Sequence, residues 1–203
     1  MVTLESFLPL VRGRLPGCPE MILENGVRDA CIEFCKRTRF LTEAVTVDVV
    51  SGEAAVTLYP DTDTHWEVLS VQRDTELLTP LFRAEFVTQG LDVDSGTPAY
   101  YYLEGDRTLV LGPIPDADET LTAVVTLRPK DTATRVADAL YSDFRETIAA
   151  GARAWVRRNY GDWVNPQFEA EDRKIFEYAI HNQNIRRARG GGSVPLRVRT
   201  HSF

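Results

Sequence analysis

Cys31 and Cys35, four residues apart, are the first pair in this 203-residue chain whose spacing suits chemistry. On a helix they share a face and could hold a metal ion together. Val27 and Phe34 fall on the same side, so the ordinary use of such a pair is as small buried hydrophobes. With Cys18 they make three cysteines, an odd number at low density, which fits a reducing compartment better than a disulfide framework. The three histidines, His65, His181 and His201, fall in a loop, on a helix and in the tail, with nothing to make them converge. Aspartates gather at Asp61-Thr62-Asp63, Asp92-Val93-Asp94 and Asp116-Ala117-Asp118-Glu119, and could bind a divalent cation loosely. None has EF-hand spacing with its glycine and bidentate glutamate, so they read as solvated turns. Tyr100, Tyr101 and Tyr102 resemble a stacking surface for bases, but the charge around them would repel a phosphate backbone. There is no glycine-rich phosphate loop with lysine, no HExxH helix and no serine elbow between glycines. The sequence predicts no catalytic residue, no metal site and no cofactor.

Charge is distributed unevenly. The formal net charge is −7. Residues 43–138 carry 6 basic and 18 acidic side chains, whereas residues 186–203 carry 5 arginines and no carboxylate. An acidic middle and a basic end are separate features, and each needs its own use. No apolar run approaches the roughly 20 residues needed to span a bilayer, and the start lacks the layout of a secretory signal. The expectation is a cytosolic protein with no membrane partner.

The elements that carry these residues follow from periodicity. Phe144, Ile148, Ala152, Trp155 and Val156 recur at helical steps, with Ser142 as expected N-cap. Within that helix Ala149, Ala150, Gly151 and Ala152 offer small side chains on nearly every side, so that a second backbone can approach closely. Asn165-Pro166 restarts a helix, whose expected apolar face is Phe168, Ile175, Phe176, Ala179 and Ile180. Near the start, Phe7, Leu8 and Val11 predict a short helix in which Ser6 caps and Pro9 falls in the first turn. Glu20 to Thr38 reads as an amphipathic helix. Between the two ends the period becomes two. Val45 to Val49 and Ala55 to Tyr59 read as a hairpin through Ser51-Gly52-Glu53, and Tyr100 to Leu111 as a second through Glu104-Gly105-Asp106. Further strands are expected at Trp66 to Arg73, Leu77 to Pro80 and Leu121 to Leu127, with a short helix near Arg83 to Phe86.

The predicted fold class is α+β: a helical bundle of residues 1–42 with 139–189, an inserted small antiparallel β domain of residues 43–138, and an extended basic arm of residues 190–203. In the arm, Val194-Pro195-Leu196-Arg197-Val198-Arg199 alternates apolar and basic residues. That pattern suits an extended strand laid on an acidic or edge-strand surface of a partner.

The order of parts carries a resemblance. An amphipathic helix ending in ACIEFCKRTRFL, a β insertion containing GTPAYYYLEGDRTLVLGPIPDADETL, then LYSDFRETIAAGARAWV and a glycine-terminated tail resemble the head-to-tail adaptor proteins of tailed bacteriophages, in the group related to the tail tubular protein A. The resemblance covers roughly Leu4 to Arg189 and contains no catalytic motif. It implies a homo-oligomeric ring, commonly dodecameric, that joins the portal of the phage head to a tail, stopper or nozzle protein. Double-stranded DNA would pass through it without sequence-specific binding. The protein would sit in the virion neck after assembly in the host cytoplasm. Under that implication the arm binds portal through Arg186, Arg187, Arg189, Val194, Leu196, Arg197, Val198, Arg199 and Phe203, while Asp61, Asp63, Asp92 and Asp94 line the channel. The alternatives are a tail-completion or stopper protein of the same particle, or a non-viral cytosolic binding module.

Overall fold

The computed structural model describes residues 1–59, 64–105 and 107–189. In chain order the first elements are strand β1 (Val2–Thr3), a 3-10 turn (Leu4–Phe7), helix α1 (Leu8–Arg12) and helix α2 (Glu20–Thr38). Next come β2 (Thr42–Val49), β3 (Ala55–Thr57), β4 (Thr64–Arg73), β5 (Glu76–Leu77), β6 (Thr79–Pro80), helix α3 (Arg83–Thr88) and β7 (Ser95–Gly96). The series continues with β8 (Tyr100–Glu104), β9 (Thr108–Gly112), β10 (Ile114–Pro115), β11 (Glu119–Pro129) and β12 (Arg135–Val136), then α4 (Asp138–Asn159) and α5 (Pro166–Ala188). The chain divides into two compact units, Met1–Thr38 with Asp131–Phe203, and Arg39–Lys130. The change of periodicity placed these limits at 42/43 and 138/139. The structure keeps β12 with the helices because it pairs antiparallel with β1, Val2 opposite Val136 and Thr3 opposite Arg135.

In the helical unit, α4 is the central element. From Ile148 to Ala152 every side is buried, which is possible because the side chains there are small. A Cβ at Gly151 would lie 2.7 Å from the Phe176 ring and 3.1 Å from the Ala30 Cβ, and one at Gly26 would lie 3.1 Å from the Ala152 carbonyl oxygen. The glycines therefore set how closely α2, α4 and α5 can pack. Phe34 stacks obliquely on Phe144, with centroids 4.5 Å apart, and Phe7 meets Tyr141 edge-on at 5.1 Å.

Three details depart from the sequence expectation. Helix α4 begins at Asp138, so Ser142 is not its cap; the Ser142 hydroxyl instead donates to Asp143 Oδ1 at 2.9 Å. Phe7, not Ser6, is the N-cap of α1, and Pro9 still falls in the first turn, where no backbone donor is lost. Helix α5 does start from Asn165, whose side chain accepts from the Phe168 N–H at 3.1 Å. Its apolar residues, however, split between two faces. Phe176 and Ile180 are buried, while Phe168 and Ile175 are about half exposed.

The sheet unit contains two four-stranded sheets, ordered β2-β11-β4-β5 and β3-β9-β8-β6. Val49, Val71, Leu121 and Ala123 of the first sheet and Val56, Tyr101, Leu109 and Leu111 of the second belong to one apolar core, completed by Leu58 and Leu78. The hairpin between β8 and β9 is as expected, with Tyr100 opposite Gly112 and Glu104 opposite Thr108. The one expected between β2 and β3 is not a hairpin. The turn at Gly52, with φ +85°, passes the chain from one sheet to the other, since β2 pairs with β11 and β3 with β9. Most pairings are antiparallel; β6–β8 and β7–β10 are short parallel exceptions.

Candidate assembly surfaces

The polar interior of the helical unit was not legible as such in the sequence. Asp172 on α5 is 1% exposed and lies between Arg153 and Arg157 of α4, themselves 5% and 4% exposed. Arg153 donates to Asp172 Oδ1 from Nε at 3.0 Å and from Nη2 at 2.6 Å, and Arg157 donates to Oδ2. The same guanidiniums reach backbone carbonyls, Arg153 that of Leu10 at 3.0 Å and Arg157 that of Arg14 at 3.2 Å. A carboxylate that accepts from two planar guanidiniums, each of which also donates to backbone carbonyls, is how buried charge is made tolerable. The cluster ties α4 and α5 to the segment around α1.

Outside this interior, the helices present charge and a few apolar residues. Arg37 of α2 grips Glu177 of α5 through two bonds, 2.7 and 2.5 Å, and Glu33 receives Arg37 at 2.9 Å and Arg173 at 3.0 Å. The bonds from Arg37 hold the Glu177 carboxyl below its ordinary range and push the Arg37 guanidinium up. On α5, Phe168, Ile175 and Tyr178 remain exposed. Arg186 and Arg187 are exposed in the last helical turn, and Arg189 follows it. The rest of the predicted portal-binding set, Val194, Leu196, Arg197, Val198, Arg199 and Phe203, lies outside the described residues. Ala149, Ala150, Gly151 and Ala152 are buried inside their own bundle.

The sheet unit is the acidic one: residues 39–130 hold 6 basic and 16 acidic side chains, a net of −10. Asp92 and Asp94 are exposed in the turn after α3, where Gly90, at φ +73°, accepts from the Asp94 N–H at 3.1 Å. Asp61 and Asp63 lie outside the described residues. Tyr101 is buried and Tyr102 meets Phe86 edge-on at 4.9 Å, so the three tyrosines do not form one stacking platform. Burial raises the Glu119 carboxyl against the opposing pull of Arg73, 3.8 Å away.

Cys31 and Cys35 are buried in the helical core. Burial and the neighbouring Cys35 hold the Cys31 thiol well above its ordinary range, and burial pushes Cys35 up to about 12. Among the described residues only Glu5, Glu20 and Glu24 gather ligand oxygens within 4.8 Å of one another. They are surface carboxylates, and Glu20 already pairs with Arg12 at 2.8 Å. No helix among the described residues is long and apolar enough to cross a membrane.

The described residues thus comprise a helical unit built from both chain ends and an acidic unit of two sheets inserted between them. Residues 3–199 match the SU10 adaptor protein family, and the chain belongs to it. It is thus a phage adaptor, a structural protein of the virion. No protein of curated function matches the chain.

Proposed function

We propose that copies of this chain form a closed ring that joins the portal of the phage head to the tail and surrounds the DNA channel. The observation that carries this reading is the family match over nearly the whole chain. Within the adaptors, the order of parts along the chain supports a kinship with the tail tubular protein A group as part of this proposal. The net charge of −10 in residues 39–130 supports a channel wall from which DNA phosphates are repelled, so the duplex moves without sticking. Asp92 and Asp94, exposed on their turn, are candidates for that wall, and the proposal extends to Asp61 and Asp63, which lie outside the described residues. The small-residue packing around Gly151 supports a stiff bundle able to bear load at a joint. Twelve copies is the number that the resemblance implies for such a ring. The test is electron microscopy of the purified chain mixed with its portal protein. A ring on the portal axis is expected; a chain that stays monomeric and unattached would remove the proposal.

A further inference from the structure

Helix α5 spends one side on its own bundle, where Asp172, Phe176 and Ile180 are buried. Its opposite side is not the wholly polar surface that a solvated helix ordinarily shows. Phe168, Ile175 and Tyr178 are 49%, 47% and 68% exposed there, and Ile185 is partly exposed in line with them. With Glu171 and Asn182 they fall at 168, 171, 175, 178, 182 and 185, alternate steps of three and four that keep one seam along the helix. A largely apolar seam of heptad spacing, left open by the described residues of its own chain, is shaped for another helix. Phe168 is held ready for one, because the Arg157 guanidinium lies over its ring, 5.5 Å from the centroid.

The pattern of the seam selects its occupant. Set antiparallel on a second copy of itself, about a midpoint between residues 176 and 177, it opposes Phe168 to Ile185, Glu171 to Asn182 and Ile175 to Tyr178, each twice. Apolar side chains then meet apolar ones. The Asn182 amide can donate to the Glu171 carboxylate, a polar layer of the kind that fixes register. A slide by one heptad puts Glu171 on Ile175 in one direction and Tyr178 on Asn182 in the other. A parallel pair would set Glu171 on Glu171 and gather the arginines at 186 and 187 of both copies, which like charge disfavours. The antiparallel pair sends those arginines to opposite ends. It also brings Arg186, one turn past Asn182, toward Glu171 of the second copy. Both are exposed, and neither has an ion pair among the described residues. Lys174 and His181 stay on the rim of the seam, in water.

We infer that the outward face of α5 is a dimer contact, on which α5 of a second copy packs antiparallel about a two-fold axis. The inference goes beyond the ring reading and does not depend on it. A two-fold contact joins two copies and stops, whereas a ring needs a contact that repeats head to tail. The pair is therefore a form of the free chain and not the joint between ring neighbours. With one helix and four apolar side chains from each copy it is a small interface, of the weak class that dissociates on dilution.

The test is sedimentation velocity of the full chain from roughly 1 μM to 1 mM, the range that resolves weak association. A concentration-dependent equilibrium between monomer and dimer is expected. Ile175→Glu puts a carboxylate into both central layers and should weaken the dimer at least about tenfold, with the Tm of the dilute chain unchanged because Ile175 is outside the core. Glu171→Arg should weaken it about two- to fivefold, and Glu171→Arg/Arg186→Glu should recover it. Orientation is read by mild oxidation, with the native thiols at 18, 31 and 35 buried. Glu171→Cys and Asn182→Cys chains should cross-link to each other when mixed and little when alone, and the Glu171→Cys/Asn182→Cys chain should stop at the dimer. A chain that is monomeric throughout, association that Ile175→Glu leaves unchanged, Glu171→Cys chains joined to themselves, or a ladder beyond the dimer would each overturn the inference. A monomeric chain that still forms a ring on the portal would remove this inference alone. A dimer through α5 with no ring on the portal would remove the proposed function alone.

Discussion

Replacing Asp172 by alanine leaves the guanidiniums of Arg153 and Arg157 facing each other in an interior where both are nearly inaccessible to water. Removing one partner of a buried, hydrogen-bonded ion cluster costs about 3–5 kcal/mol, because uncompensated charge stays behind. That is a large part of the roughly 5–15 kcal/mol that holds a domain folded. For a chain of this size each kcal/mol lowers Tm by about 2–4 °C, so a fall of roughly 6–20 °C is expected. The assay is thermal and urea unfolding of the full-length variant followed by far-ultraviolet circular dichroism, which is weighted toward the helices. Asp172→Asn, which keeps the volume and removes the charge, should behave similarly. Arg153→Met/Arg157→Met/Asp172→Leu should recover part of the loss, since no charge remains buried. Recovery is incomplete in this account because the carbonyls of Leu10 and Arg14 lose their donors. Stability of Asp172→Asn within about 0.5 kcal/mol of the parent, as for a surface change, would refute the reasoning.

Other outcomes follow from the same contacts. Gly151→Val should destabilise by at least about 1–3 kcal/mol in urea unfolding, because its Cβ would meet the Phe176 ring and Ala30 and force α4 away from its neighbours. Glu177 is lowered from its ordinary value mainly by the bond from Arg37, so its contribution is present above the unfolded carboxyl range and is lost as pH falls through the folded value. Both partners are over a third exposed, so the effect is small, at most about 1 kcal/mol; Glu177→Gln should flatten the acid limb of the stability curve near and below pH 4.5. With the thiols of Cys31 and Cys35 buried and raised, a thiol reagent at neutral pH should label the native chain slowly at these positions and at all three cysteines once it is unfolded.

Much of the scaffold was legible because it rests on local chemistry. Asn165-Pro166 marks the start of α5 through a side-chain cap, and the small run around Gly151 marks close helix packing through lack of volume. The β8–β9 hairpin was readable from its turn residues. The supposed β2–β3 hairpin was misread because a turn shows where the chain reverses, not which strand each arm pairs with. That choice is made by distant residues, here β11 and β9. The outward face of α5 was misassigned for a related reason. Phe168 and Ile175 lie among apolar residues at helical spacing, while the position that points inward is a charged one, Asp172. The one available signal was the i, i+4 spacing of Arg153 and Arg157, which puts two guanidiniums on a helix face that otherwise carries small residues. The portal-binding and channel-lining assignments had no local signal to rest on, since they concern surfaces between molecules.

Imaging the purified chain together with its portal protein by electron microscopy tests the central claim most directly. The account predicts closed rings of this chain seated coaxially on the portal, with an open central passage. Separate portal particles and unassembled chains, under conditions where both proteins are folded, would contradict it.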